Sequence, residues 1–173
     1  FIFLSKELMN DLKQNFNWCV EQSQIIHCKR SKIWETISSE SNLELFHPFC
    51  KKNNIITWPG DKSEDILVYL NGRTMTRKFV FWEKNFGYDL FINEIGFESS
   101  FVSWRINGYN ENSKITILVF PYLYNKGNKK LNWIPFKIFI QPMLKKYLSS
   151  VTDGLKYYLE NDKKIKKNQF GTH

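Results

Sequence analysis

Two histidine–cysteine pairs are the residues of this chain whose types and spacing could do chemistry. His47 stands three residues before Cys50, and His27 directly precedes Cys28. Cys and His are common ligands of structural zinc, which usually takes four of them, and a Cys activated by a His is a familiar nucleophile. The spacing therefore raises two possibilities, a metal site and a Cys–His catalytic pair.

Local features of the sequence argue against both the metal site and the catalytic pair. Adjacent strand residues point to opposite faces, so His27 and Cys28 cannot easily bind one ion. Pro48 interrupts the segment between His47 and Cys50, and no Asn or Asp is evidently placed to orient the imidazole. In a third interpretation, which we favour, His47 lies at the rim of a cavity covered by neighbouring apolar residues. We therefore predict no metal ion, no cofactor and no catalytic residue.

Two arginines, Arg73 and Arg77, follow a strong hairpin signal. The pair Asn71–Gly72 favours a two-residue type I′ turn, because that turn needs positive φ at both positions. Such a loop predicts that Val68 pairs with Met75 and that both arginines lie on the more apolar, inward face. A four-residue loop over 84–87 would next pair Phe81 with Leu90 and Phe79 with Ile92.

An inward guanidinium must meet an anion, since an unpaired buried charge is costly. That anion could be the carboxylate head group of a ligand such as a fatty acid. It could instead be an acidic side chain of the protein, such as Glu83 or Glu94, or the arginines could lie at an open end of the sheet. We favour these protein-based explanations.

The apolar periodicity predicts the elements that position these residues. A strand is followed by two short helices, a meander of five or six antiparallel strands and a long amphipathic helix. The predicted ranges are 18–28 for the strand, 30–39 and 41–49 for the helices, 55–124 for the meander and 141–162 for the last helix. Gly154 inside that helix lowers helix propensity by about 1 kcal/mol, which favours close packing there.

The predicted elements divide the chain into three parts. An N-terminal extension over 1–17 contains a helix at 5–16, a single domain covers 18–161, and a charged tail over 162–173 is expected to be frayed. A chain of 173 residues can bury a substantial core. Aromatic residues make up 17% of it, which indicates either an unusually aromatic core or a cavity lined with rings.

The charge is strongly positive, with a net value of +8. We expect no nucleic-acid partner, because the four arginines are scattered and the lysine-rich, alanine-free composition indicates an AT-rich genome. The lysines of the last helix and tail favour a solvated face, and peripheral contact with an anionic membrane is the alternative. They are Lys145, Lys146, Lys156, Lys163, Lys164, Lys166 and Lys167.

Three widely spaced cysteines do not suggest a disulfide framework. Free thiols fit a reducing compartment, so we expect a cytoplasmic protein. The sequence makes no prediction of oligomeric state.

The order of elements resembles the SRPBCC superfamily, which includes START domains, Bet v 1-like proteins and polyketide cyclase/dehydrase-like proteins. The segments that carry the resemblance are "SQIIHCKRSKIWETISSESNLELFHPF", "WPG", "DILVYLNG", "FVFW", "GYDLFI", "SFVSWRI" and "ITILVFPY". The resemblance implies an α+β helix-grip fold, in which about seven antiparallel strands curve around the C-terminal helix. It also implies a hydrophobic cavity between sheet and helix that holds a hydrophobic small molecule or lipid.

Relatives in this superfamily either carry or sense ligands or act as enzymes, so three functions stay open. We favour a carrier or sensor. The first alternative is a cyclase/dehydrase-like enzyme using Tyr88, His47 or Arg77, and the second is an interaction module with a filled core. The residues expected to contact the ligand are Phe49, Trp58, Val68, Met75, Arg77, Phe79, Phe81, Tyr88, Leu90, Ile92, Trp104, Ile106, Ile117, Val119, Leu144, Tyr147, Leu148 and Val151.

Overall fold

A seven-stranded antiparallel sheet is the framework of the protein. The computed structural model describes residues 16 and 18–172, so the predicted helix over 5–16 lies, apart from Phe16, outside the described residues. The strands follow the spatial order β1-β7-β6-β5-β4-β3-β2. They are β1 (Val20–Ile26), β2 (Cys50–Thr57), β3 (Glu64–Tyr69), β4 (Thr74–Glu83), β5 (Gly87–Glu94), β6 (Ser100–Tyr109) and β7 (Asn112–Phe120).

The helices connect the first two strands and complete the chain after the last one. Between β1 and β2 lie α1 (Arg30–Ile37) and α2 (Leu43–Phe46). After β7 follow α3 (Tyr122–Asn125), α4 (Lys129–Pro135), a π-helical turn (Phe136–Ile140) and α5 (Gln141–Asn161). This arrangement confirms the predicted α+β helix-grip architecture, whereas the division into extension, domain and tail stays a prediction.

The long helix α5 packs its apolar stripe against the inside of the curved sheet. Leu148, Val151, Leu155 and Leu159 are buried at helical spacing. Gly154 lies on the same helix where α2 crosses it, and an added Cβ would overlap the Phe46 carbonyl oxygen. The predicted close packing at this glycine is therefore confirmed.

The predicted register of the β3–β4 hairpin is wrong by one residue. The Tyr69 N–H donates to the Arg73 carbonyl at 2.8 Å, so the loop has three residues rather than two. Gly72 takes a positive φ of 90° and the residue before it does not, so the turn is not type I′. Leu67 consequently pairs with Met75, and the inward and outward faces of β3 are exchanged.

The predicted β4–β5 pairing is wrong as well. Glu83 pairs with Gly87, so the loop has three residues rather than four, and β4 then contains a bulge. Phe79 pairs with Leu90 but Phe81 pairs with Asp89, so one extra residue lies between them. Beyond the bulge the faces switch. Phe81 points to the outside of the sheet, and Trp82 points inward, where it stacks on Tyr88 at 5.6 Å between ring centroids.

Two segments after the sheet differ from the expectation. Apolar periodicity predicts no helix over residues 122–140, yet α3, α4 and the π-helical turn occupy most of that stretch. The tail, expected to be frayed, runs back over α2. Its Ile165 N–H donates to the Leu45 carbonyl at 3.2 Å, and its Asn168 N–H donates to the Pro48 carbonyl at 2.9 Å.

Candidate functional site

A cavity of about 600 Å³ lies between the concave face of the sheet and helix α5. Its size falls within the range of small-molecule sites. Five exposed residues of the lining, Asn71, Arg73, Met143, Lys146 and Thr172, mark its mouth. The mouth therefore lies between the tip of the β3–β4 hairpin and the start of α5.

Most of the residues expected to contact a ligand lie in the cavity wall. They are Phe49, Met75, Arg77, Leu90, Ile92, Trp104, Ile117, Val119, Leu144, Tyr147, Leu148 and Val151. Their contact with a ligand stays a prediction. The structure does bring them together around one space, and all the strands from β3 to β7 contribute to it.

Six predicted residues lie elsewhere. Val68 and Phe81 point to the outer face of the sheet because of the register slip and the bulge. Trp58, Phe79, Tyr88 and Ile106 belong to the packed core beside the cavity.

An aromatic cluster fills the interior next to the cavity. Trp58 packs on Trp82 and Phe79 at 5.0 and 5.2 Å between centroids, and Trp34 packs on Trp82 at 5.4 Å. Tyr88 completes the cluster, 5.0 Å from Phe79. An aromatic core and a cavity lined with rings are the two interpretations of the aromatic content. Both are correct in part, since one portion of the interior is filled and another is open.

Several wall residues are not among those predicted from the sequence. Leu67 and Tyr69 line the cavity and were assigned to the wrong face by the two-residue loop. Val102 alternates with Trp104 on the inward face of β6, so its periodicity could have identified it. Leu43 and Met143 come from helix ends, where periodicity gives little guidance.

Three polar side chains form a hydrogen-bonded group in the apolar wall. His47 Nε2 lies 2.8 Å from the Tyr147 hydroxyl, which lies 2.9 Å from the Tyr69 hydroxyl. The Phe49 N–H donates to His47 Nδ1 at 3.3 Å, so the proton of the neutral ring is on Nε2 and is donated to Tyr147. His47 is thus buried in the wall rather than exposed at a rim.

The two tyrosines of this group are neutral at neutral pH, and burial moves their titration further into the alkaline range. It raises the pKa of Tyr69 above its usual value and that of Tyr147 well above it, and for Tyr147 the neighbouring Tyr69 adds to the shift. At neutral pH both therefore present hydroxyl groups, which can donate to or accept from an uncharged polar group.

Arg77 is neutralised within the protein. Its Nε donates to Asp65 Oδ1 at 2.8 Å and its Nη2 to the other carboxylate oxygen, and both side chains are almost fully buried. Burial acts to lower the pKa of Arg77, but the charge and hydrogen bonds of Asp65 outweigh it and raise that pKa. The protein-based explanation of this arginine is confirmed.

Arg73 also meets an acid of the protein, although in a different setting. Its Nη2 lies 2.9 Å from the Glu94 carboxylate, and the side chains of both residues are partly exposed at the mouth. Glu94 is one of the two partners that the sequence suggested.

Cys50 is not part of a Cys–His nucleophile. Burial, with a smaller contribution from Glu44, raises the pKa of its thiol to about 12, whereas a reactive cysteine needs a depressed pKa. The imidazole of His47 is directed to Tyr147 instead. A catalytic pair of these two residues is therefore excluded.

The other histidine–cysteine pair does not assemble a metal site. His27 is exposed and its Nδ1 lies 2.7 Å from Asn112 Oδ1, whereas Cys28 is buried on the opposite face. Within residues 16 and 18–172, no group of three or more His, Cys, Asp or Glu side chains could hold a metal ion.

Comparison with known proteins identifies the fold. No protein-family model and no curated protein matches the sequence. Solved structures do match, among them DynU16 from the dynemicin biosynthetic locus, with a TM-score of 0.66 at 12% identity over 87% of this chain and 51% of that one. The chain has the helix-grip fold. It spans about half the length of DynU16.

Two further helix-grip structures match over nearly their whole length. Ara h 8.0201 gives a TM-score of 0.63 at 16% identity, covering 83% of this chain and 97% of that one. A START superfamily protein from Mycobacterium smegmatis gives 0.60 at 13% identity, covering 82% and 97%. At these identities the likeness concerns the helix-grip fold and leaves the ligand to be argued from the cavity.

Proposed function

We propose that this helix-grip protein binds a hydrophobic small molecule or lipid in its cavity and acts as a carrier or sensor. The observation that carries the proposal is the space of about 600 Å³ with a largely apolar wall and an open mouth. Burying about 200 Å² of apolar ligand surface there would contribute about 5 kcal/mol. Water in such a space finds few hydrogen-bond partners, so an apolar occupant is favoured.

The polar groups of the wall narrow the ligand class. Tyr69, Tyr147 and His47 offer neutral hydrogen-bonding groups, which suit a hydroxyl or carbonyl of the ligand. Arg77 is already paired with Asp65, so a ligand carboxylate would have to compete with a buried ion pair. We therefore propose an apolar ligand with an uncharged polar end rather than a fatty acid.

An enzyme of the cyclase/dehydrase kind is the second candidate. Of the three groups suggested for it, Tyr88 lies in the core and Arg77 is paired, which leaves His47 in the cavity wall. Its Nδ1 accepts from the Phe49 N–H and its Nε2 contacts Tyr147, so action as a general base would require these hydrogen bonds to rearrange when substrate binds. Loss of product formation in His47→Gln with unchanged ligand affinity would support this candidate. The open cavity disfavours the third candidate, an interaction module with a filled core.

We also propose a reducing compartment such as the cytoplasm. Cys19, Cys28 and Cys50 are all free thiols, which fits a compartment where disulfides are rare.

Titration with the fluorescent probe N-phenyl-1-naphthylamine tests the proposed function. Ile92→Trp and Leu144→Trp would each fill the cavity from a half-buried wall position, where the larger ring can be accommodated. We expect each to weaken probe binding by about tenfold or more, equivalent to about 1.4 kcal/mol. Val80→Trp, on the exposed outer face of β4, is the matched control and should bind like the wild type. Equal binding by all four proteins, or no binding by the wild type, would contradict the proposal.

A further inference from the structure

The helical segment that leads into α5 leaves large apolar side chains exposed. Three pairs among them, Leu131–Ile134, Ile134–Ile138 and Phe139–Met143, are three or four residues apart, which brings side chains close together on a helix surface. Leu131 is 73% exposed, Phe139 67% and Met143 58%. We call this surface the apolar ridge, and its members are Leu131, Trp133, Ile134, Ile138, Phe139 and Met143.

Lysines flank the apolar ridge, and acidic residues are absent from its sequence. Between Glu111 and Asp153 the chain contains neither Asp nor Glu. The flanking lysines, between the end of the sheet and the middle of α5, are Lys126, Lys130, Lys137, Lys145 and Lys146. Two acids approach from elsewhere. Glu98 of the β5–β6 loop pairs with Lys126 at 3.0 Å, and Glu21 of β1 lines a surface pocket together with Gln141 and Lys145. The surroundings of the ridge therefore keep a positive charge.

The apolar ridge is continuous with the mouth of the cavity. Met143 belongs to the ridge and also lines the cavity. The β5–β6 loop, joined to this region by the Glu98–Lys126 pair, adds two more exposed apolar side chains, Ile95 and Phe97. Exposed apolar surface and lysines thus gather at the end of the molecule where the cavity opens.

We propose that the apolar ridge docks on an anionic lipid bilayer. Apolar and aromatic side chains bordered by lysines are the composition of helices that lie in a membrane interface, where lysines attract anionic head groups. A protein partner is less well matched, since protein interfaces are depleted in lysine. None of the described helices is long and apolar enough to cross a membrane.

Docking in this orientation brings the mouth of the cavity to the membrane surface. A hydrophobic ligand could then enter or leave without crossing water. This consequence rests on the proposed function, whereas the docking itself does not. An experiment can therefore contradict ligand binding without contradicting the docking, and the reverse.

Co-sedimentation with vesicles tests the docking. The full chain is mixed with vesicles of phosphatidylcholine alone or with about one third phosphatidylserine, at low and high salt. We expect binding to the anionic vesicles, weakened by salt. Ile138→Asn/Phe139→Asn should reduce the partition about tenfold or more, because two apolar side chains no longer enter the interface. Lys130→Glu/Lys137→Glu should reduce it similarly, and only for anionic vesicles.

Matched controls change the same residue types elsewhere on the surface. Ile25→Asn/Ile56→Asn replaces two exposed apolar side chains outside the ridge, and Lys51→Glu/Lys52→Glu reverses two exposed charges on β2. Both should bind vesicles within about twofold of a wild-type protein, allowing for the altered net charge. Equal losses in ridge and control variants, or no wild-type binding at low salt, would overturn the proposal. Self-association that occurs without vesicle binding, and that the ridge variants abolish, would also overturn the proposal. The ridge would then contact a second copy of the chain.

Discussion

Asp65 supplies the negative charge that allows Arg77 to be buried in the sheet. The two side chains face each other across β3 and β4, almost fully buried and joined by two hydrogen bonds. Replacing one member of such a pair leaves an uncompensated buried charge, which costs more than the pair contributes. The Arg73–Glu94 pair is a natural comparison, because it also joins an arginine to a carboxylate but lies at the partly exposed mouth.

We predict that Asp65→Asn lowers the free energy of unfolding by about 3–5 kcal/mol, because Arg77 would stay buried without its counter-charge. Urea denaturation measures the change. Glu94→Gln is the control and should cost less than about 1 kcal/mol, since exposed ion pairs contribute little. The double variant Asp65→Leu/Arg77→Met should recover most of the loss. A loss below about 1 kcal/mol in Asp65→Asn would contradict the assignment.

The thiol of Cys50 makes stability depend on pH in the alkaline range. Its pKa is about 12 in the folded protein against an ordinary value of 9.0. Between these values the folded protein keeps a proton that the unfolded chain has lost. Stability is therefore complete below the unfolded pKa and falls as the pH rises.

We predict that this thiol lowers the free energy of unfolding by about 1.4 kcal/mol between about pH 8 and 10. Denaturation of the wild type and Cys50→Ala at both pH values measures it. The variant is expected to be less stable throughout, because a buried side chain is truncated, but to lose less on going to high pH. The same loss in both proteins would show that Cys50 titrates normally.

The contact of α2 with α5 depends on the absence of a side chain at position 154. An added Cβ would meet the Phe46 carbonyl oxygen, which is backbone and cannot rotate away, and would crowd Ile165 of the tail. Helix propensity and packing therefore oppose each other at this position.

We predict that Gly154→Ala destabilises the protein by about 1–3 kcal/mol, although the same change gains about 1 kcal/mol in an exposed helix. Thermal or urea unfolding measures the sign of the change in the free energy of unfolding. Lys156→Ala, two residues further along α5, is the control and should stay within about 0.5 kcal/mol of the wild type. A more stable Gly154→Ala variant would mean that α2 does not pack closely there.

Strand periodicity predicts the strands of the sheet, but it does not predict the register of the hairpins. Asn71–Gly72 fits a two-residue loop and also the end of a three-residue loop, and these alternatives place opposite faces of β3 inward. Only the longer loop sets Asp65 opposite Arg77. A buried guanidinium needs an acidic partner. This requirement could have identified the correct register from the sequence.

The segment before α5 shows a different limit of sequence reasoning. Its helix contains a π-helical turn at Phe136–Ile140, which shifts the order of side chains around the axis. Many of its apolar residues also point outward rather than into the core. Apolar periodicity assumes a regular helix with one buried face, and neither condition holds here.

The whole interior is divided between an aromatic cluster and an open cavity. Trp34, Trp58, Phe79, Trp82 and Tyr88 fill the part of the sheet next to α1, and the cavity occupies the part beside the start of α5. The filled part supplies core stability, so the open part can remain available to a ligand. The mouth, the apolar ridge and its lysines all lie at the open end.

Methyl NMR of isoleucine side chains during titration with N-phenyl-1-naphthylamine tests most directly whether an apolar molecule occupies this cavity. Ile92 and Ile117 line it, whereas Ile25 and Ile56 are exposed on edge strands and Ile134 and Ile138 lie on the apolar ridge. We predict saturable shifts of the Ile92 and Ile117 signals, with those of Ile25 and Ile56 unchanged. Shifts confined to Ile134 and Ile138, or none at Ile92 and Ile117, would show that the cavity is not the binding site.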